Sequence, residues 1–219
     1  MTDSAVDFVR SYAALAPVPF LPEIKLHQAD EPIGLWELTE GEYRSEQPPP
    51  FWAFAWAGGQ ALARYVFDHP ETTAGKRVLD LAAGSGLVAV TAALTGAASV
   101  RAVDIDPLSC AAIGLNAAAN GVDVSVDQAD ILGGDAGDAE IVLAGDVFYS
   151  QAMADRMIGF LRRAVKNGTR VLVGDPDRAF LPKPLFAEVA AYDVPVPFAL
   201  ESVTVKHTRV WELRGPAKG

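Results

Sequence analysis

Between Gly58 and Gly174 the chain alternates short apolar runs with stretches whose apolar residues recur every three to four positions. Apolar runs of this kind suit strands buried on both faces, and the amphipathic stretches between them suit crossover helices. The rhythm calls for βαβ units, a parallel sheet and a doubly wound α/β fold. It predicts a helix from Gly58 that ends before Pro70, with Ala61, Leu62, Tyr65 and Val66 on one face. Strand Arg77–Leu81, helix Leu87–Leu94, strand Ser99–Asp104 and helix Pro107–Ala119 follow, the last closed by Asn120-Gly121. Strands Asp123–Gln128 and Glu140–Gly145, a helix over 150–165 and strand Thr169–Gly174 complete the repeat. Tyr192–Val196 and Val203–Leu213 read as extended runs with no helical pattern between them, so a terminal hairpin is expected to add one antiparallel strand.

The N-terminal part is different in kind. Val6, Phe8, Val9, Tyr12, Ala13 and Leu15 mark a short helix over 4–15, behind the capping candidates Thr2, Asp3 and Ser4. Residues 16–56 hold Pro17, Pro19, Pro22, Pro32 and Pro48–Pro50, with two short strands expected at Ile24–His27 and Leu35–Leu38. The expected division is an N-terminal helix and irregular cap over 1–56 and one α/β domain over 57–219.

Charge narrows the function. The chain has 28 Asp+Glu against 18 Lys+Arg, a net charge of −10. Such a field repels phosphate backbones and anionic membranes and attracts a cationic partner. Cys110 is the single cysteine, which excludes an internal disulfide and fits a reducing cytoplasm. No run approaches the ~18 apolar residues of a spanning helix, and Met1 to Arg10 carries no apolar signal region. His27, His69 and His207 lack ligand spacing, so no metal site is expected; Glu40, Glu42 and Glu46 read as solvated surface.

In a doubly wound sheet, ligands sit beyond the carboxyl ends of the strands. After the first such strand comes Asp80-Leu81-Ala82-Ala83-Gly84-Ser85-Gly86, whose small residues let the backbone turn sharply against a ligand. After the second, Asp104 offers a carboxylate for both hydroxyls of a ribose, with Asp106 as its rival. After the third, Asp130 offers an acceptor for an exocyclic adenine amine. Together they describe a pocket for an adenosine. Gly84-Ser85-Gly86-Leu87-Val88-Ala89 matches a dinucleotide fingerprint, so NAD or FAD has to be weighed. Yet Ala82 stands where that loop has its first glycine, and Asp80 would repel a pyrophosphate. S-adenosylmethionine carries a sulfonium and an ammonium, which the same carboxylate attracts.

Asp80-x-Ala82-x-Gly84-x-Gly86 with the acids at 104 and 130 resembles the cofactor-binding motifs of seven-β-strand S-adenosylmethionine-dependent methyltransferases, which usually have Gly at the place of Ala82. The resemblance covers roughly residues 57–213. It implies a Rossmann-like sheet of order 3-2-1-4-5-7-6, strand 7 antiparallel, with helices on both faces. Pro49-Pro50-Phe51-Trp52-Ala53-Phe54-Ala55-Trp56-Ala57-Gly58-Gly59-Gln60-Ala61-Leu62 and Asp146-Val147-Phe148-Tyr149 are similar to segments of protein-lysine methyltransferases, above all those acting on the electron transfer flavoprotein β-subunit. The resemblance implies that Trp56 lies against the cofactor and that Asp146 faces the incoming amine, with Phe148 and Tyr149 beside it. Asp146 as a plain cap of the following helix is the competing reading. Phe51, Trp52, Phe54, Trp56, Phe148 and Tyr149 are candidates to line a channel for the lysine stem. Gly174 to Arg178 is either a structural turn or a substrate contact, and the methionines of helix 150–165 are expected in its core face.

The expectation is a cytoplasmic, monomeric enzyme that binds neither nucleic acid nor membrane and methylates a lysine of the electron transfer flavoprotein β-subunit. The alternatives are methylation of another protein such as a ribosomal protein, methylation of a small amine, or a non-methylating nucleotide-binding protein.

Overall fold

A computed structural model describes residues 3–29, Leu35 and 49–215. Helix α1 (Asp3–Tyr12) is followed by an antiparallel hairpin, β1 (Ala14–Val18) and β2 (Leu21–Gln28). The predicted helix therefore stops three residues early, and Leu15 belongs to a strand. Pro17 explains this: it has no N–H to give to a helix and disfavours helical geometry at Ala16. The expected strand Ile24–His27 is part of β2. Of Leu35–Leu38 only Leu35 is described, and it is buried; the remainder, like Glu40, Glu42 and Glu46, lies outside the described residues.

The sheet has seven strands: β3 (Arg77–Leu81), β4 (Ser99–Asp104), β5 (Ser125–Gln128), β6 (Ile141–Gly145), β7 (Arg170–Asp175), β8 (Phe186–Pro195) and β9 (Val205–Leu213). Their order is β5-β4-β3-β6-β7-β9-β8, with β9 antiparallel to both neighbours. Counted from β3, this is the expected 3-2-1-4-5-7-6. Helices α2 (Ala57–Asp68), α3 (Leu87–Leu94), α4 (Pro107–Ala119) and α5 (Gln151–Lys166) cover the sheet. One face buries Leu62, Val78, Val90, Ile113 and Leu143 in a core that also takes in Leu21, Ile24 and Leu26 of the hairpin. The other buries Leu79, Val142, Phe160 and Val171 beneath α5. The hairpin is further tied to α4 by Asn116 and Asn120, whose side-chain oxygens accept the N–H groups of His27 (2.8 Å) and Lys25 (3.0 Å).

The C-terminal hairpin departs from its expected outline. β8 starts at Phe186 rather than Tyr192, and a one-turn helix, α6 (Phe198–Glu201), stands where no helix was read. β8 is an edge strand with a bulge between Glu188 and Ala190, so its residues do not alternate cleanly between core and solvent.

Candidate functional site

A cleft of about 340 Å³ opens at the carboxyl ends of β3, β4 and β6 and beside the stretch after β5. Its floor is the loop after β3. Ala82, Gly84 and Gly86 there have φ of +54°, +54° and +77°. That conformation is natural for glycine and costs an alanine about 1 kcal/mol, which accounts for the preference for Gly at the place of Ala82. Asp80 is 1% exposed, and its Oδ2 accepts the N–H of Ala89 at 2.8 Å. Burial, reinforced by nearby Asp104, pushes its carboxyl up to about 8.

Asp104 is oriented by two backbone donors: Gly84 N–H on Oδ2 at 2.9 Å and Asp106 N–H on Oδ1 at 3.0 Å. Burial raises its pKa as well. Asp106 caps α4, accepting from the N–H of Leu108 (2.9 Å) and of Ser109 (3.2 Å). Both acids border the cleft, but the oxygens of Asp106 are taken up by the helix start. Asp130 is exposed and held by Arg156, whose Nη2 donates to its two oxygens at 2.8 and 2.6 Å; the hydrogen bond to Arg156 lowers the Asp130 pKa. Arg156 also borders the cleft, and sequence reasoning missed it.

Aromatic rings contribute to the lining. Phe51, Phe54, Trp56 and Tyr149 border the cleft; the Trp56 indole N–H donates to the Phe51 carbonyl at 3.0 Å, and the Phe51 and Tyr149 rings lie 5.5 Å apart. Phe148 is the correction. It is 0% exposed and packs in the core against Phe186, ring centroids 6.0 Å apart, so it does not reach the cleft. Trp52 is likewise buried, edge-on to Phe8 of α1. Met153 and Met157 of α5, expected only in its core, border the cleft too.

Asp146 borders the cleft too. It sits at φ +57° just after β6, buried, and its Oδ2 accepts the N–H of Gly58 and, at 3.2 Å, of Gly59. It therefore caps α2 from across the sheet, while the following helix α5 is capped by Ser150. Its Oδ1 accepts from Arg178 Nε (3.1 Å) and Nη2 (2.7 Å). Four donors thus hold this carboxylate. Burial raises the Asp146 pKa, and Arg178 opposes that rise. Arg178 Nη2 also reaches Glu201 Oε1 at 3.2 Å, and Glu201 in turn pairs with Lys206. In the stretch Gly174 to Arg178, Asp175 Oδ1 accepts the Arg178 N–H across a turn, and Arg178 borders the cleft. Neither arginine has a local signal; each meets its acid through the fold. Among the described residues no group of three or more His, Cys, Asp or Glu is arranged to hold a metal, and no helix is long and apolar enough to cross a membrane.

Residues 60–170 match the ribosomal protein L11 methyltransferase (PrmA) family. The electron transfer flavoprotein beta subunit lysine methyltransferase of Danio rerio is 40% identical over 160 residues, covering 72% of this chain and 61% of that protein. Its Xenopus laevis counterpart is 36% identical over 174 residues, covering 78% of this chain and 70% of that protein. The chain thus spans about three-fifths to seven-tenths of the length of these relatives. Among solved structures, the RNA methyltransferase from Salinibacter ruber in complex with S-adenosyl-L-homocysteine shares the fold, with a TM-score of 0.51 and 19% identity over 72% of this chain and 94% of that one.

Proposed function

Because the chain belongs to the methyltransferase family that includes the electron transfer flavoprotein β-subunit lysine methyltransferases, we propose that it transfers a methyl group from S-adenosylmethionine to a lysine of the electron transfer flavoprotein β-subunit. One observation carries the cofactor reading: Asp80, buried, and Asp104, half-buried, stand at the ends of adjacent strands around one cleft, and desolvation pushes both carboxyls toward the neutral acid. A cationic ligand relieves that cost, whereas a pyrophosphate would add to it. The left-handed backbone at Gly84 and Gly86 supports close approach to a nucleoside.

When bound, S-adenosylmethionine supplies an electrophilic methyl group on a sulfonium; the protein's task is alignment, exclusion of water and removal of a proton from the amine. Asp104, held by the Gly84 and Asp106 amides, is assigned to the ribose hydroxyls. Asp80 supplies negative charge beneath the loop, and Trp56 with Phe51 covers the cofactor side. Asp130, braced by Arg156, is assigned to the adenine amine. A lysine of pKa ~10.4 is neutral at pH 7 in only about one molecule in ~2,500, equivalent to roughly 4.6 kcal/mol. The apolar mouth formed by Phe51, Phe54 and Tyr149 lowers that cost by disfavouring the ammonium, while the aromatic faces still receive a methylated cation. Tyr149, which borders the cleft, is assigned to this contact.

The −10 charge supports a basic protein partner rather than nucleic acid. The lone, buried Cys110 supports a reducing, cytoplasmic setting, and the enzyme is taken to act as a monomer. The test is to incubate the purified protein with isotopically labelled S-adenosylmethionine, the electron transfer flavoprotein β-subunit and, separately, ribosomal proteins, and to locate the label by mass spectrometry. Label on a lysine of the β-subunit is the expected result. Label on a ribosomal protein alone, which the PrmA match would favour, contradicts the substrate, and no label on either contradicts the activity.

A further inference from the structure

Asp175 closes β7 with its side chain 0% exposed. Its Oδ1 accepts the backbone N–H of Arg178 at 2.7 Å, but its Oδ2 has no hydrogen-bond partner among the described residues. A buried carboxyl oxygen without a donor is costly and calls for an explanation. Arg178 lies on the turn that Asp175 opens. Its guanidinium is given to Asp146 Oδ1, with Nη2 shared with Glu201 Oε1. While that arrangement holds, Asp146 Oδ1, on the wall of the cleft, is closed to an incoming amine.

We propose that Asp175 is a positioning residue: its Oδ2 is a second berth for the Arg178 guanidinium, and the move from Asp146 to Asp175 opens Asp146 Oδ1 to the N–H of the substrate amine. The inference rests on the amine-methyltransferase reading above. It reconciles an acid that the resemblance aims at the substrate with a structure in which an arginine holds that acid. Charge stays balanced, because one cation leaves Asp146 as another approaches. Glu201, itself paired with Lys206, keeps its hold on Nη2 and acts as the pivot. The charged groups around Asp175 are Asp146, Asp177 and Arg178, with Arg209 opposite it on β9. Burial pushes its carboxyl up to about 7, and a guanidinium brought to Oδ2 favours the ionised form.

The test is a double-mutant cycle on the full chain, with the electron transfer flavoprotein β-subunit as substrate. Asp175→Asn removes the berth and locks Arg178 on Asp146. KM for the protein substrate rises roughly tenfold, the order expected when one charged hydrogen bond is withheld, while kcat, S-adenosylhomocysteine affinity and melting temperature stay near wild type. Adding Arg178→Gln removes the lock and brings KM back toward wild type. A purely structural role predicts the opposite, since the two lesions would then add. An unchanged KM in Asp175→Asn, or a double variant no better than the single one, overturns the proposal. If Asp175→Asn does not fold, Asp175→Ser, which likewise offers no charge to a guanidinium, takes its place in the cycle with the same supporting and overturning results. A wild type that binds S-adenosylhomocysteine but labels no β-subunit contradicts the function reading; wild-type turnover without the suppression contradicts this inference alone.

Discussion

The first turn of α2 meets the end of β7 backbone to backbone. A β-carbon on Gly58 would run into the carbonyl oxygen of Gly174 and come within 2.6 Å of Asp146 Oδ2. This closeness lets the Gly58 and Gly59 amides reach Asp146, and it sets Trp56, one residue before α2, against the cleft. Gly58→Ala should therefore cost about 1–3 kcal/mol through overpacking and weaken cofactor binding by displacing Trp56. At Gly59 an added β-carbon meets nothing within 4 Å, so Gly59→Ala should leave the melting temperature unchanged or raise it. Thermal melts of the two variants side by side check the contrast; equal losses would contradict it.

The loop after β3 gives a second contrast. Ala82 holds a left-handed conformation at a cost of about 1 kcal/mol. Ala82→Gly relieves that strain but adds freedom to the unfolded chain, so denaturant melts should show a change within about 1 kcal/mol of wild type and cofactor affinity kept. Gly86→Ala adds strain at φ +77° and brings the new carbon within 3.0 Å of Ile113 Cγ1. It should destabilise by at least about 1 kcal/mol, and retention of full stability would mean that the loop is not held as described.

Much of this arrangement was readable from residue order, for physical reasons. Strand Arg77–Leu81 and helices Leu87–Leu94 and Pro107–Ala119 fall where the apolar pattern ends, because each is bounded by a local signal such as Gly86, Pro107 or Asn120-Gly121. Asp80 and Asp104 were legible because strand ends define the cleft. What escaped notice depends on distance. Arg156 meets Asp130 across 26 positions and Arg178 meets Asp146 across 32, and nothing near either arginine announces its partner. Phe148 and Tyr149 are neighbours of similar chemistry, and only the packing around Phe186 decides which ring is core. Leu15 kept the helical spacing of α1 although Pro17 had already ended the helix.

That division between neighbours is testable. Phe148→Ala should cost about 3–5 kcal/mol, as expected for a fully buried ring, with lost activity following from lost fold. Tyr149, 47% exposed, should tolerate Ala at a cost under about 1 kcal/mol while KM for the protein substrate rises. Melting curves paired with Michaelis parameters separate the two; comparable destabilisation by both would contradict the assignment.

Asp80 links pH to stability with a definite sign. Its carboxyl rises from an ordinary 3.8 to about 8 on folding, mainly through burial. Between those values the folded chain keeps a proton that the unfolded chain has released. Its contribution therefore favours folding most at the acid end and declines as pH rises toward about 8, then levels off. Asp80→Asn should remove this decline and stabilise the protein at pH 8 by on the order of a few kcal/mol, while weakening S-adenosylmethionine binding. In the wild type, affinity for the cationic cofactor should increase from pH 6 to pH 8 as Asp80 ionises. Denaturant melts at both pH values check the first claim and calorimetric titrations the second; a variant less stable than wild type at pH 8 would contradict the buried-acid account.

The most direct measurement is a calorimetric titration of the wild-type protein and of Asp104→Ala with S-adenosylhomocysteine and with NADH. The wild type should bind S-adenosylhomocysteine with an affinity on the order of micromolar and give no heat with NADH, and Asp104→Ala should lose the binding. Equal binding of NADH, or full retention of S-adenosylhomocysteine affinity by Asp104→Ala, would contradict the cleft as a site for a sulfonium nucleoside.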